Sequence, residues 1–197
     1  IVLSSEHCQY KWFPVYPVKE TGEDVLRDLQ FSGNLVRGLV ASLRHQTTSG
    51  LFWPVVTDDV PLFPDEPGEF AAMRRFDVHT GVDLYCKEGT IVEAMVHGTV
   101  VEIVPFTGPF ADPPSPWWNP TSAIIIKTGP SSFCGDGINL PYYLLYGEIE
   151  PLENIQIGTD VLAGQPIGRV LKVLQKDKGR PMSMLHLEAS SKPWGSD

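Results

Sequence analysis

From residue 90 to residue 189 the chain never runs far without a break. Short apolar and β-branched runs cover residues 90–96, 99–104, 123–127, 142–146, 155–158, 161–164, 166–170 and 185–189, with Gly or Pro between most of them. A helix of ordinary length needs about ten or more residues free of such breaks, whereas a strand is complete in about four to eight. The spacing therefore predicts a mainly β domain of antiparallel strands, a sandwich or barrel, rather than an α/β fold. Residues 90–96 and 99–104 read as a β-hairpin turning at His97-Gly98. The 18 Gly and 18 Pro among 197 residues agree with this, since ordinary usage would give about 12% for the two together.

The first 50 residues have a different pattern. Val25, Leu26 and Leu29, then Leu35, Val36, Leu39, Val40 and Leu43, recur at helical spacing, and Ser32-Gly33-Asn34 interrupts them. Two short helices are expected, with a hairpin about that break as the alternative. We divide the chain into an extension, residues 1–50, and a β domain, residues 51–197. Residues 57–69 are acidic and Pro-rich, a loop by composition. Residues 105–120 hold six Pro and the pair Trp117-Trp118, and a loop of that length is often functional. The two Trp are expected either to wall a groove or to lie in a Pro-stiffened loop packed over the sheet.

A net charge of −9 argues against nucleic acid and anionic surfaces as partners. No apolar run is long enough to span a membrane. Residue 1 is Ile and no leader-like segment is visible, which reads as a mature or trimmed chain. Cys8, Cys86 and Cys134 lie far apart, with no CxxC pair; buried thiols, or one disulfide with one thiol left over, both remain open.

Two patterns carry chemistry. His79-Thr80-Gly81-Val82-Asp83 sets an imidazole and a carboxylate four residues apart, and Gly81 is expected to let the backbone bend so that they converge. Met184-Leu185-His186-Leu187-Glu188 places Met184, His186 and Glu188 on one face of a strand. Two imidazoles and one carboxylate suit a zinc ion that keeps its fourth position open.

In order and spacing these motifs resemble the lysostaphin-type zinc metallopeptidases, the glycyl-glycine endopeptidases and their relatives. Phe52-Trp53-Pro54-Val55 resembles the opening strand of that domain, and residues 75–84 resemble its HxGxD motif. Residues 88–94 and 97–101 resemble the hairpin that follows. Residues 157–168 resemble the VKVGDxVxAGQxIG run, and residues 185–188 the HLHFE strand. The resemblance implies a duplicated hybrid motif fold and a zinc held by His79, Asp83 and His186. It implies a peptide or peptidoglycan-like substrate, or a protein partner, and a place outside the cytoplasm. Two positions depart from the family. Its first His on the last strand is Met184 here, and its His two residues after the strand Tyr is Glu148, following Tyr146-Gly147. Met184 cannot transfer a proton, whereas Glu148 is either a general base or a turn carboxylate without a role. Three readings follow: a zinc-binding domain degenerate in catalysis and used for recognition or regulation, an active peptidase with Glu148 as base, or a structural domain in which the metal only ties the strands together. The family implies a structural or supporting role for Glu188. His7 and His45 lie outside the matched region, and His97 reads as a turn residue.

Overall fold

The computed structural model of the chain describes residues 52–57, 61, 68–72, 78–128, 143–176, 181–190 and 193–194. The helices expected before residue 51, His7, His45, Cys8, Cys134 and most of the acidic loop lie outside these residues. Within them are eight strands and no helix: β1 Val82–Tyr85, β2 Ile91–Glu93, β3 Gly98–Thr107, β4 Thr121–Thr128, β5 Tyr143–Pro151, β6 Asp160–Val161, β7 Pro166–Val170 and β8 Met184–Ser190. All pairings are antiparallel, in the order β1-β8-β5-β4-β3-β6, and β7 joins β2 to β5. The mainly β expectation is borne out.

One face of the sheet holds the main core. Val82 and Leu84 of β1, Leu185 and Leu187 of β8, Tyr146 and Ile149 of β5 and Ile124 and Ile126 of β4 all enter it. Strand alternation sends the residues between them to the opposite face. There a smaller cluster of Ala123, Ile125 and Leu145 gathers Phe106 and Tyr143 at its margin. Tyr146 is fully buried, and burial pushes its phenol above the ordinary value; its hydroxyl accepts the Met95 N–H at 2.9 Å.

The expected hairpin at His97-Gly98 does not form. β2 pairs with β7, Ile91 opposite Arg169, while β3 pairs with β4 and β6. The reason lies in Ala94, Met95 and Val96, three consecutive apolar residues that are all buried. They carry the chain through the core instead of exposing a tight turn. Their backbone bonds go elsewhere: Ala94 N–H to Gln165 O, and Phe52 N–H to Met95 O. The opening strand expected at residues 52–55 is likewise absent as a strand. The segment makes single contacts, such as Glu93 N–H to Pro54 O, and Pro54 itself has no N–H to offer a ladder. Of the three short strands expected over residues 155–170, the second and third appear as β6 and β7, and residues 155–158 form turns. The Pro-rich loop starts later than expected, because β3 runs on to Thr107.

β5 is the branching strand. Its residues 143–147 pair with β8, and its residues 149–151 pair with β7. Glu148 stands at the switch, in the left-handed region with φ 66°. Across on β4, Ile124 faces Tyr146 and Ser122 faces Ile149, so Gly147 and Glu148 together stand against Ala123. This is a β-bulge: one extra residue lets Tyr146 and Ile149, three apart, both enter the core.

Candidate metal centre

The register of three neighbouring strands builds the centre. Asp83 of β1 is the direct partner of His186 of β8, and His186 is in turn the partner of Gly147 of β5. All lie on the face away from the main core. His79 arrives from the segment before β1. It is held there by a strap, residues 68–72: Ala71 N–H bonds to His79 O, and His79 N–H to Ala72 O.

The three ligand-type residues named from the sequence converge. His79 Nε2 lies 3.1 Å from His186 Nδ1 and 3.1 Å from Asp83 Oδ1, and His186 Nδ1 lies 2.8 Å from Asp83 Oδ1. Three donors on a tetrahedral ion with bonds of about 2.0–2.1 Å stand about 3.3 Å apart, so the triangle is close to the one a zinc ion requires. Two nitrogens and one oxygen are donors this ion accepts. Each ring is also held by its far nitrogen. His79 Nδ1 donates to Glu69 O at 2.7 Å, and His186 Nε2 donates to Glu188 Oε1 at 2.8 Å. These bonds leave His79 Nε2 and His186 Nδ1 facing each other across the centre. All three ligand residues are buried, with exposures of 2%, 6% and 5% for His79, Asp83 and His186.

Gly81 serves a different purpose from the bend expected of it. Its backbone is not in the left-handed region. A Cβ at this position would stand 2.6 Å from His186 Nε2 and 2.7 Å from Leu187 O. Gly81 is required because the imidazole and the backbone of β8 lie against it. Gly147 is open for the same kind of reason, since the ring of Phe106 fills the place of its Cβ. Phe106 stands 5.2 Å from the His186 ring, centre to centre, and 6.3 Å from Trp194. Nothing in the sequence marked Phe106, which comes from β3 and reaches the centre only through the sheet.

Burial disfavours charge on His186, but the carboxylates of Asp83 and Glu188 outweigh it and push its pKa up to about 10. Burial acts to raise Asp83, and the two imidazoles overcome this and hold its carboxyl well below the carboxylate range. Because His186 rises above its ordinary 6.5, its pairing stabilises the metal-free domain fully below about pH 6.5 and is lost as pH climbs through about 10. Asp83 acts in the opposite sense, and its contribution disappears only in strong acid. A zinc ion held by Nδ1 would displace the proton there. Calorimetry in buffers of different ionisation enthalpy is therefore expected to show about one proton released per zinc near neutral pH, with affinity rising about tenfold per pH unit. Zinc uptake without proton release would contradict the assignment of His186 as a ligand.

The residues at the departing positions behave differently. Met184 is buried with Tyr85 and Val173, with Trp118 packed against them. Glu148 is buried at the bulge and does not belong to the cluster of ligand atoms within 4.8 Å of one another, which is His79, Asp83 and His186. Its carbonyl accepts the Leu171 N–H. Burial pushes the Cys86 thiol up, and the charge of Glu148 adds to that rise. Cys86 is a free thiol. His97 accepts the Ala163 N–H just before β3 and not in the hairpin turn expected of it. The two Trp divide: Trp118 packs on the sheet, and Trp117 is 64% exposed. No helix among the described residues is long and apolar enough to cross a membrane.

No protein-family model matches the sequence, and no curated protein matches it. Among solved structures it is similar to Csd3 of Helicobacter pylori, at 20% identity and TM-score 0.43 over 71% of this chain and 31% of that one. It is similar to the catalytic domain of the antimicrobial peptidase lysostaphin from Staphylococcus simulans, at 21% identity and TM-score 0.36 over 57% of this chain and 66% of that one. A third is the catalytic domain of the prophage-encoded M23 protein EnpA from Enterococcus faecalis, at 20% identity and TM-score 0.41 over 76% of this chain and all of that one. The chain thus spans less than a third of the Csd3 chain it matches.

Proposed function

We propose that this chain is a zinc-binding domain, degenerate in catalysis, that serves recognition or regulation of a peptide, a peptidoglycan-like polymer or a protein partner. One contrast carries the reading. Three ligand atoms converge within hydrogen-bonding distance of one another, while the strand position two residues before His186 holds a thioether packed among apolar side chains. His79, Asp83 and His186 would hold the ion, which supplies Lewis acidity when bound. Hydrolysis of an amide also needs a group that moves protons, and losing one such group costs about 10²–10⁴ in rate. Met184 has no proton to move.

One observation favours the alternative, an active metallopeptidase or amidase with Glu148 as general base. Glu148 is a buried carboxylate in a left-handed backbone conformation, next to the residue that pairs with His186. Such strain costs about 1–3 kcal/mol and is found preferentially at functional sites.

Zinc content by elemental analysis, with assays on glycine-rich peptides and peptidoglycan, separates the two. The degenerate reading expects one zinc per chain, no turnover, and no change in zinc affinity in Glu148→Ala. Turnover that disappears in Glu148→Gln while zinc is retained would establish the alternative instead. A protein that takes up no zinc would remove the ligand assignment itself.

A further inference from the structure

The side chains around His186 serve one end. Its Nδ1 edge faces Asp83 and His79, its Nε2 edge faces Glu188, and its Nε2–Cε1 edge lies against Gly81. Thr80 Oγ1 donates to the same oxygen, Glu188 Oε1, that accepts from His186 Nε2. Four of the five residues in His79-Thr80-Gly81-Val82-Asp83 therefore act on a single imidazole of β8. Val82 alone turns away, into the main core.

We propose that Glu188 and Thr80 are positioning residues for the metal centre: Glu188 fixes the His186 ring so that Nδ1, and not the Cδ2 carbon, faces the ion, and Thr80 fixes Glu188. The reasoning is geometric. A half-turn of an imidazole about Cβ–Cγ puts Cδ2 where Nδ1 stood and Cε1 where Nε2 stood, so only one of the two orientations offers a nitrogen to the centre. With an ion on Nδ1 the ring would keep its one proton on Nε2, and a carboxylate accepts only from an N–H, so Glu188 favours the orientation that sets Nε2 beside it and Nδ1 at the centre. Glu188 lies on the same face of β8 as His186, two residues on, and its side chain is 11% exposed. One carboxylate oxygen could swing among its rotamers, but the Thr80 hydroxyl on Oε1 holds it in place. Thr80 lies between His79 and Gly81, so the same short segment that brings the loop ligands also orients the strand ligand. An anionic acceptor on the far nitrogen also makes the imidazole a stronger donor, and such partners typically change metal affinity by about 10–100-fold.

This inference rests on the metal-binding reading, and the test keeps the two apart. The wild type, Glu188→Ala, Glu188→Gln and Thr80→Val are titrated with zinc against a chromogenic chelator. Their cobalt complexes are compared by visible absorption. Glu188→Ala is expected to weaken zinc binding about 10–100-fold. Glu188→Gln keeps an acceptor oxygen without the charge, so it should restore part of that loss; Thr80→Val should fall between Gln and wild type, with Thr80→Ser restoring it. A merely structural role for Glu188 would lower thermal stability without this graded order in affinity. A second measurement needs no metal. In the chelator-treated protein, nitrogen NMR of the His186 ring is expected to show Nε2 protonated and hydrogen-bonded, with that signature lost in Glu188→Ala. Zinc affinity within twofold of wild type in a folded Glu188→Ala, or an unchanged ring signature, would overturn the proposal. If the wild type itself bound no zinc, the metal reading would fall while the NMR arm still decided the orientation of the ring.

Discussion

Replacing Gly81 by alanine is expected to abolish tight zinc binding and to destabilise the domain. The added methyl would meet His186 Nε2 at 2.6 Å, His186 Cε1 at 2.7 Å and Leu187 O at 2.7 Å. Atoms this close cannot coexist, so something must move. Leu187 is held opposite Val82 in the β1–β8 ladder, and shifting its carbonyl breaks that ladder. The imidazole can swing instead, but only by leaving Asp83 at 2.8 Å and Glu188 at 2.8 Å. Either response opens the ligand triangle. Overpacking of this kind costs about 1–3 kcal/mol. The Gly81 backbone is not left-handed, so the loss would report contact and not a forbidden dihedral. Thermal melting and zinc titration of the purified variant check the result. A variant that melts with the wild type and binds zinc with equal affinity would show that β8 does not lie against this position.

His186→Ala has the second large effect, and its pH dependence identifies the cause. The imidazolium stands between the carboxylates of Asp83 and Glu188, both held low by it. Removing it leaves Asp83 with His79, and Glu188 with the Thr80 hydroxyl, against the cost of burial. Breaking a buried pair in this way costs about 3–5 kcal/mol. Burial, no longer opposed by the imidazolium, would then raise both carboxyl groups from their wild-type positions. The folded variant would take up protons at a higher pH than the folded wild type, which lessens its deficit in acid. Urea denaturation of chelator-treated proteins is expected to show a deficit that is largest near pH 6.5 and narrows both in acid, as those carboxyl groups protonate, and toward pH 10, as the wild type loses the His186 pairing. A deficit independent of pH would mean that the loss is one of packing volume alone.

How much of this was legible beforehand differs from part to part. The strands were, because Gly and Pro cut the chain into pieces too short for anything else. The partners of those strands were less so. A pair of β runs close in sequence reads as a hairpin, yet β2 leaves β3 and joins β7. Residues 94–96 contain no signal for this except their continuous apolar character. The three residues that converge, His79, Asp83 and His186, were legible through residue type and spacing, and Glu188 through the two-residue period of a strand. The carbonyl of Glu69 was not, since a backbone group carries no mark of its own in the sequence. Neither was Phe106, nor the bulge at Glu148, whose left-handed backbone sits where β5 exchanges one neighbour for another.

The sequence by itself determined a mainly β domain and the residue types that the candidate centre brings together: two imidazoles and a carboxylate, with a thioether two residues before the second imidazole. Only the tertiary structure decided that His79 and His186 meet at 3.1 Å across 107 positions of chain, and which nitrogen of each ring faces inward. The physical reason is register. Strand alternation chooses the face of each side chain locally, but pairing Asp83 with His186 and His186 with Gly147 depends on ladders between distant segments. A slip of one residue in either ladder would turn the same side chains to the opposite face.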